Sequence, residues 1–171
     1  LVELHDEFDW AVAIVRQFLC DHFEQLRLAR LAASAFVPLK HLASRILAEE
    51  RLAIGHADQW VVRLGKAGDD SRKRMQAALD RLAPLASGLF EPTAGVAVLE
   101  TAGVYPAIGG DMYQGWANAV SNVIEESTLR AAFAKPAADF VGGRAGRHSA
   151  AFAMLLDEMT EVYRVEPRGQ W

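Results

Sequence analysis

The chain has 171 residues, 51% hydrophobic and 23% charged, which is enough for one sizeable core and too short for two ordinary domains. Eighteen Lys and Arg against 22 Asp and Glu leave a net charge of −4 with no block of five like charges, which argues against a nucleic-acid footprint or a polybasic membrane anchor. A single cysteine, Cys20, excludes an intramolecular disulfide and a cysteine-built zinc site, and the apolar runs are far too short for a membrane span. With no charged-then-apolar leader, the expectation is a soluble, cytoplasmic chain with one domain over residues 1–171. Because the first residue is Leu1 and not Met, processing or a missing N-terminus is also expected.

Periodicity predicts a first helix over about 7–34, with Ala11, Val15, Phe18, His22, Leu26 and Ala29 on one stripe, Asp6 as cap and Pro38 as stop. A second helix over about 39–64 carries Leu39, Leu42, Ile46, Ala53, Ala57, Trp60 and Leu64 inward and stops at Gly65 and Gly68. Asp69, Asp70 and Ser71 offer caps for a third, over about 71–89, with Met75, Ala78, Leu79, Leu82, Leu85 and Leu89 inward and Pro84 as kink or early end. From 90 to 110 the periodicity fades. Val96 to Leu99 could pass for a strand but has no partner, so a long connection with one helical turn is expected there. A fourth helix follows over about 111–133 with Met112, Trp116, Val120, Val123 and Leu129 inward, and a last one over about 148–165 through Phe152, Leu155, Met159 and Val162. The class is all-α, an antiparallel bundle in which the first two helices are neighbours.

Long bundle helices raise the question of a di-iron carboxylate site, which needs Glu-x-x-His on two helices so that both ligands share a face. The residues three before His5, His22, His41, His56 and His148 are Val2, Leu19, Pro38, Ala53 and Ala145, so that signature is absent from the chain. Glu49 sits at the inner edge of the second helix. It is expected to be an edge carboxylate reaching solvent or an arginine, and at most a vestigial ligand position. His56 reads as an ordinary helix histidine, His22 as a satisfied core histidine, and Cys20 as packing, because no flanking cation activates its thiol. Ser149 follows His148 without a nucleophile-elbow context.

The best local candidate is the loop from Gly142 to Arg147. Its glycines, Arg144, Arg147 and the helix start that follows would suit a phosphate or carboxylate. The alternative is a solvated loop that caps the helix.

The C-terminal stretch Gly142-Gly143-Arg144-Ala145-Gly146-Arg147-His148-Ser149, then Leu155-Leu156-Asp157-Glu158-Met159 and Gly169-Gln170-Trp171, resembles the family of ring-1,2-phenylacetyl-CoA epoxidase C subunits, the phenylacetic acid degradation protein C. Three further stretches resemble it in collinear order. They are Arg16-Gln17-Phe18 with Asp21; Glu49 to Arg51 with Trp60 and Arg63-Leu64-Gly65; and Trp116 with Glu126 and Thr128-Leu129. The resemblance implies a ferritin-like bundle, incomplete at the N-terminus because the family is longer there by about two helices. It implies a non-catalytic scaffold pairing with a catalytic A subunit, which holds the di-iron centre that epoxidises the ring of phenylacetyl-CoA. No cofactor is expected in this chain itself. Where the A-type helix would place a His three residues after Glu49, this chain has Leu52. The segment 93–110 carries no similarity.

A homo- or hetero-oligomer is expected, with an apolar flank along the first two helices. A possible acyl-CoA at the boundary between subunits would place its phosphates on Arg144 and Arg147. The rivals are a free-standing ferritin-like metal-binding protein or enzyme with ligands in missing N-terminal residues, and a generic helical interaction module.

Overall fold

Asp6 lies outside the residues described by the computed structural model, which are 9–137 and 141–169, and the first helix is capped by Asp9 instead. The Asp9 carboxylate accepts from the N–H groups of Ala11 (2.7 Å) and Val12 (3.1 Å), filling two donors that a helix start leaves unpaired. Helix α1 (Trp10–Ala32) then runs to a connection of residues 33–36, closed by the buried Ser34 hydroxyl, which accepts from Phe36 N–H at 3.1 Å. Pro38 opens the next helix as well as ending the first. It stands in the first turn of α2 (Val37–Lys66), where its fixed φ suits a helix and its missing N–H costs nothing.

The short connection turns α2 back along α1, and the two form the most extensive helix pair of the fold. Helix α2 stops before Gly68, whose φ of +147° no other residue adopts readily. Ser71, expected as a cap for the third helix, donates from its hydroxyl to Leu64 O (2.7 Å) at the end of α2. Asp69 and Asp70 lie in the first turn of α3 (Asp69–Leu82), facing its positive end. Pro84 ends the α-geometry and begins a 3-10 segment, Ala83–Phe90. Residues 96–99 fall within the short helix α4 (Val96–Thr101), and no strand occurs among the described residues. Helix α5 (Met112–Glu126) is capped by the Asp111 carboxylate and ends well short of residue 133, at Ser127 and Thr128, the latter at φ +65°. A one-turn 3-10 segment, Gly143–Ala145, precedes α6 (Ala151–Val165).

The core is built from α1, α2, α3 and α5 in a ferritin-like helical bundle. Val15, Phe18, Leu19, Val61, Leu79, Leu82, Trp116 and Val120 are fully buried. Trp116 lies at its centre. Its indole N–H donates to Leu19 O at 3.1 Å, and Phe90 and Phe133 pack edge-on with centroids at 5.3 and 4.9 Å. No described helix is long and apolar enough to cross a membrane.

Three inward stripes differ from those the periodicity predicts, the third of them at Leu85, which is 39% exposed while Ala86 is buried. In α2 the buried positions are Ala43, Ile54, Ala57, Val61 and Gly65, while Leu42 (52% exposed) and Ile46 (39%) face outward. In α6 no side chain is buried, and Met159 and Val162 are 74% and 61% exposed.

Candidate functional site

The polar chemistry of the chain gathers in two places. The first is the seam between α1 and α2. His22 is buried beside Phe18, edge-on with centroids at 5.0 Å, and its Nε2 meets Asp58 Oδ1 at 2.8 Å. The satisfied core histidine is thus half realised, because the buried Nδ1 has no hydrogen-bond partner. Asp21, on the next position, is 7% exposed, and both its oxygens accept from the Gln17 amide at 2.9 and 2.8 Å. Burial pushes its carboxyl above the ordinary value despite that hydrogen bond. Glu50 is raised as well, first by burial and then by the charges of Asp21 and Glu24. Glu24 itself accepts from Arg27 Nε at 2.6 Å.

Glu49 is exposed, as an edge carboxylate would be, and His56 is exposed and edge-on to Trp60 at 6.1 Å. Cys20 is half-buried, and burial, then the neighbouring Asp21 charge, raises its thiol, which is opposite to what a nucleophile needs. Among the described residues no group of three or more His, Cys, Asp or Glu could hold a metal ion, so those residues do not fit a di-iron centre.

The second place is the Gly142 to Arg147 loop. Its backbone is arranged as an anion cradle, and the anion in it is internal. Glu91 Oε1 accepts from Gly142 N–H (2.7 Å) and Ala145 N–H (3.2 Å), and Oε2 accepts from Arg144 N–H (2.9 Å). The Arg144 guanidinium turns inward too, donating to the carbonyls of Glu91 (3.1 Å) and Leu89 (2.9 Å) and to Thr93 Oγ1 (3.3 Å). Arg147 is exposed, and its backbone N–H closes the turn on Gly142 O at 3.0 Å. The structure therefore brings Arg144 together with Glu91, whereas the Arg147 and Glu49 side chains are exposed. Ser149 and His148 precede α6, with the His148 ring stacked on Phe152 at 3.8 Å.

Glu91 and Asp58 escape notice in the sequence because each partner lies on a different element. The only local signal at Glu91 is its place between the Phe90 end of a 3-10 segment and Pro92, where a carboxylate has no helical neighbour to pair with. A shallow cleft between Trp10, Leu64, Ser71 and Met75 has about 150 Å³, below the ~300 Å³ at which small-molecule pockets begin.

A family profile described as phenylacetic acid catabolic protein matches residues 1–171. The C subunit of 1,2-phenylacetyl-CoA epoxidase from Escherichia coli (strain K12) is 27% identical over 170 residues, covering 95% of this chain and 64% of that protein. The chain thus spans less than two thirds of the length of that curated relative. With the profile matched from end to end on an all-helical bundle, the chain belongs to the phenylacetic acid catabolic protein family.

Proposed function

We propose that this chain is a non-catalytic scaffold subunit of a phenylacetyl-CoA epoxidase and pairs with a di-iron catalytic A subunit. The observation that carries the proposal is the filling of the bundle interior. Where a ferritin-like metal site needs convergent carboxylates and imidazoles, the core positions are Val15, Phe18, Leu19, Val61, Leu79 and Trp116, and the buried Asp21 and His22 on the seam are engaged by Gln17 and Asp58. The family match and the relative from Escherichia coli supply the complex to which such a chain would belong. Two apolar faces, on the N-terminal half of α2 and along α6, supply surfaces for partner subunits.

Co-expression with the sibling A subunit tests the assembly. The two should elute as one complex whose iron travels with the A subunit and is absent from this chain alone. Iron bound by this chain through Glu24, Glu49 or His56, or failure to associate, would overturn the proposal.

An acyl-CoA contact at the boundary with the A subunit belongs to the same proposal. Arg144 already donates to two carbonyls and a hydroxyl, so Arg147 is the arginine better placed to reach a coenzyme A phosphate. Arg147→Ala in the assembled complex should weaken acyl-CoA binding about tenfold, or ~1.4 kcal/mol, with helicity unchanged. Unaltered affinity would remove the coenzyme from this chain.

A further inference from the structure

Glu91 is 4% exposed, yet its carboxylate is held by three backbone N–H groups of a turn more than fifty positions away in sequence. Arg144 answers from the turn with three side-chain hydrogen bonds to Leu89, Glu91 and Thr93. Its guanidinium also lies 5.8 Å from the Phe23 ring of α1. Six hydrogen bonds therefore join the end of the 3-10 segment Ala83–Phe90 to the turn before α6. Beyond that turn, α6 buries no side chain of its own.

We propose that Glu91 and Arg144 form an acid-releasable clasp that docks the turn at 142–145, and α6 after it, onto the bundle as a unit separate from the core. An ionised carboxylate only accepts, so three converging N–H donors suit it. Protonation places a fourth donor among them and breaks the match. The groups around Glu91 reinforce this. Arg144 is the charged group acting on it, and the Arg144 guanidinium is itself set by the Phe23 ring of α1, the Leu89 carbonyl of the 3-10 segment and the Thr93 hydroxyl.

Burial by itself raises the Glu91 carboxyl. The hydrogen bonds from Arg144, Gly142 and Ala145 and the Arg144 charge outweigh it and hold the group below the ordinary carboxylate value. The clasp is therefore complete above that ordinary value and is lost as pH falls through the lowered one. Its use in presenting α6 to a partner rests on the assembly proposed above, whereas its existence does not.

Amide hydrogen exchange on the full chain, resolved by residue and corrected for intrinsic rates, tests it. Protection at Gly142, Arg144 and Ala145 should fall at least tenfold in Glu91→Gln while the amides of Val15 and Leu79 keep theirs. In the unsubstituted chain the three turn amides should lose protection on acidification before the core does, and in Glu91→Gln they should show no such step. Equal protection in both proteins, or turn and core loosening together, would overturn the clasp. Should the variant fail to fold, the acid series on the unsubstituted chain decides between the same two outcomes. A released turn with undiminished A-subunit binding would leave the clasp standing and remove α6 from the assembly.

Discussion

Gly65 of α2 packs against the chain just beyond the end of α5. A Cβ placed there would sit 2.4 Å from the backbone oxygen of Ser127 and 3.2 Å from Leu129, and a backbone atom cannot rotate away as a side chain can. Gly65→Ala should destabilise the fold by about 1–3 kcal/mol, read as a lower midpoint in urea. A midpoint equal to that of the parent would mean that α5 moves freely against α2. From the sequence, Gly65 reads as a helix stop, yet it lies inside α2, which continues to Lys66. A glycine required by close approach and one required by a turn look alike until the neighbouring helix is placed. The His22–Asp58 pair teaches a similar lesson. His22 is recognisable on its apolar stripe, but its partner is 36 positions away and marked by no motif. Asp58→Ala should cost about 1–3 kcal/mol, because it leaves both ring nitrogens of a buried imidazole without a protein partner. Asp58→Asn, which keeps an oxygen at that position, should recover much of the loss, and no difference between Ala and Asn would show that the contact contributes nothing.

At the scale of the element, the sequence reveals helices well and their faces less well. The four core helices begin close to where they are predicted, and α1 and α2 also end there, because amphipathic spacing, Pro38 and the Gly68 region act through local geometry, while α3 and α5 stop early at Leu82 and Glu126. Pro84 trims α3 to Leu82 and continues it as a 3-10 segment, so the inward side changes from Leu85 to Ala86. The connection after α4 is held by a residue outside itself. Arg30 of α1 donates to the carbonyls of Tyr105 (3.1 Å) and Pro106 (2.9 Å), and its guanidinium lies 3.8 Å from the Tyr105 ring. The stripe of α6 is legible in the sequence, but what covers it is not, since periodicity shows that a face is apolar without naming its neighbour. Met159→Glu together with Val162→Glu therefore changes stability by less than about 0.5 kcal/mol, since both side chains are already exposed. The same pair should abolish co-elution with the A subunit if α6 is the docking element. A large loss of stability would show that α6 packs on its own bundle in solution.

Over the whole molecule, five of the described carboxylates, Asp9, Asp21, Glu50, Glu91 and Asp111, divide into two groups whose effects on stability have opposite signs. Asp9, Glu91 and Asp111 are held below the ordinary carboxylate value, Asp9 chiefly by Arg74 and the start of α1, and Asp111 chiefly by Lys135 and the start of α5. Each contributes stability above its unfolded value and loses it as pH falls through its folded one. Asp21 and Glu50 are raised, chiefly by burial on the α1–α2 seam, so the native state binds a proton there before the unfolded chain does. Their penalty is fully present at neutral pH and is relieved as pH falls through their raised values toward the ordinary range. Acidification from neutral pH should thus first remove a penalty at the seam and then, below the ordinary carboxylate range, remove the caps and the Glu91 clasp. Asp21→Asn with Glu50→Gln isolates the first of these effects. The double variant should be more stable than the parent at pH 7, and the gap should close as pH falls to the ordinary carboxylate range. Unfolding free energies from urea titrations of both proteins across that interval give the difference curve. A constant gap, or a parent that is the more stable of the two at pH 7, would mean that both carboxylates are solvated and that the seam is open to water.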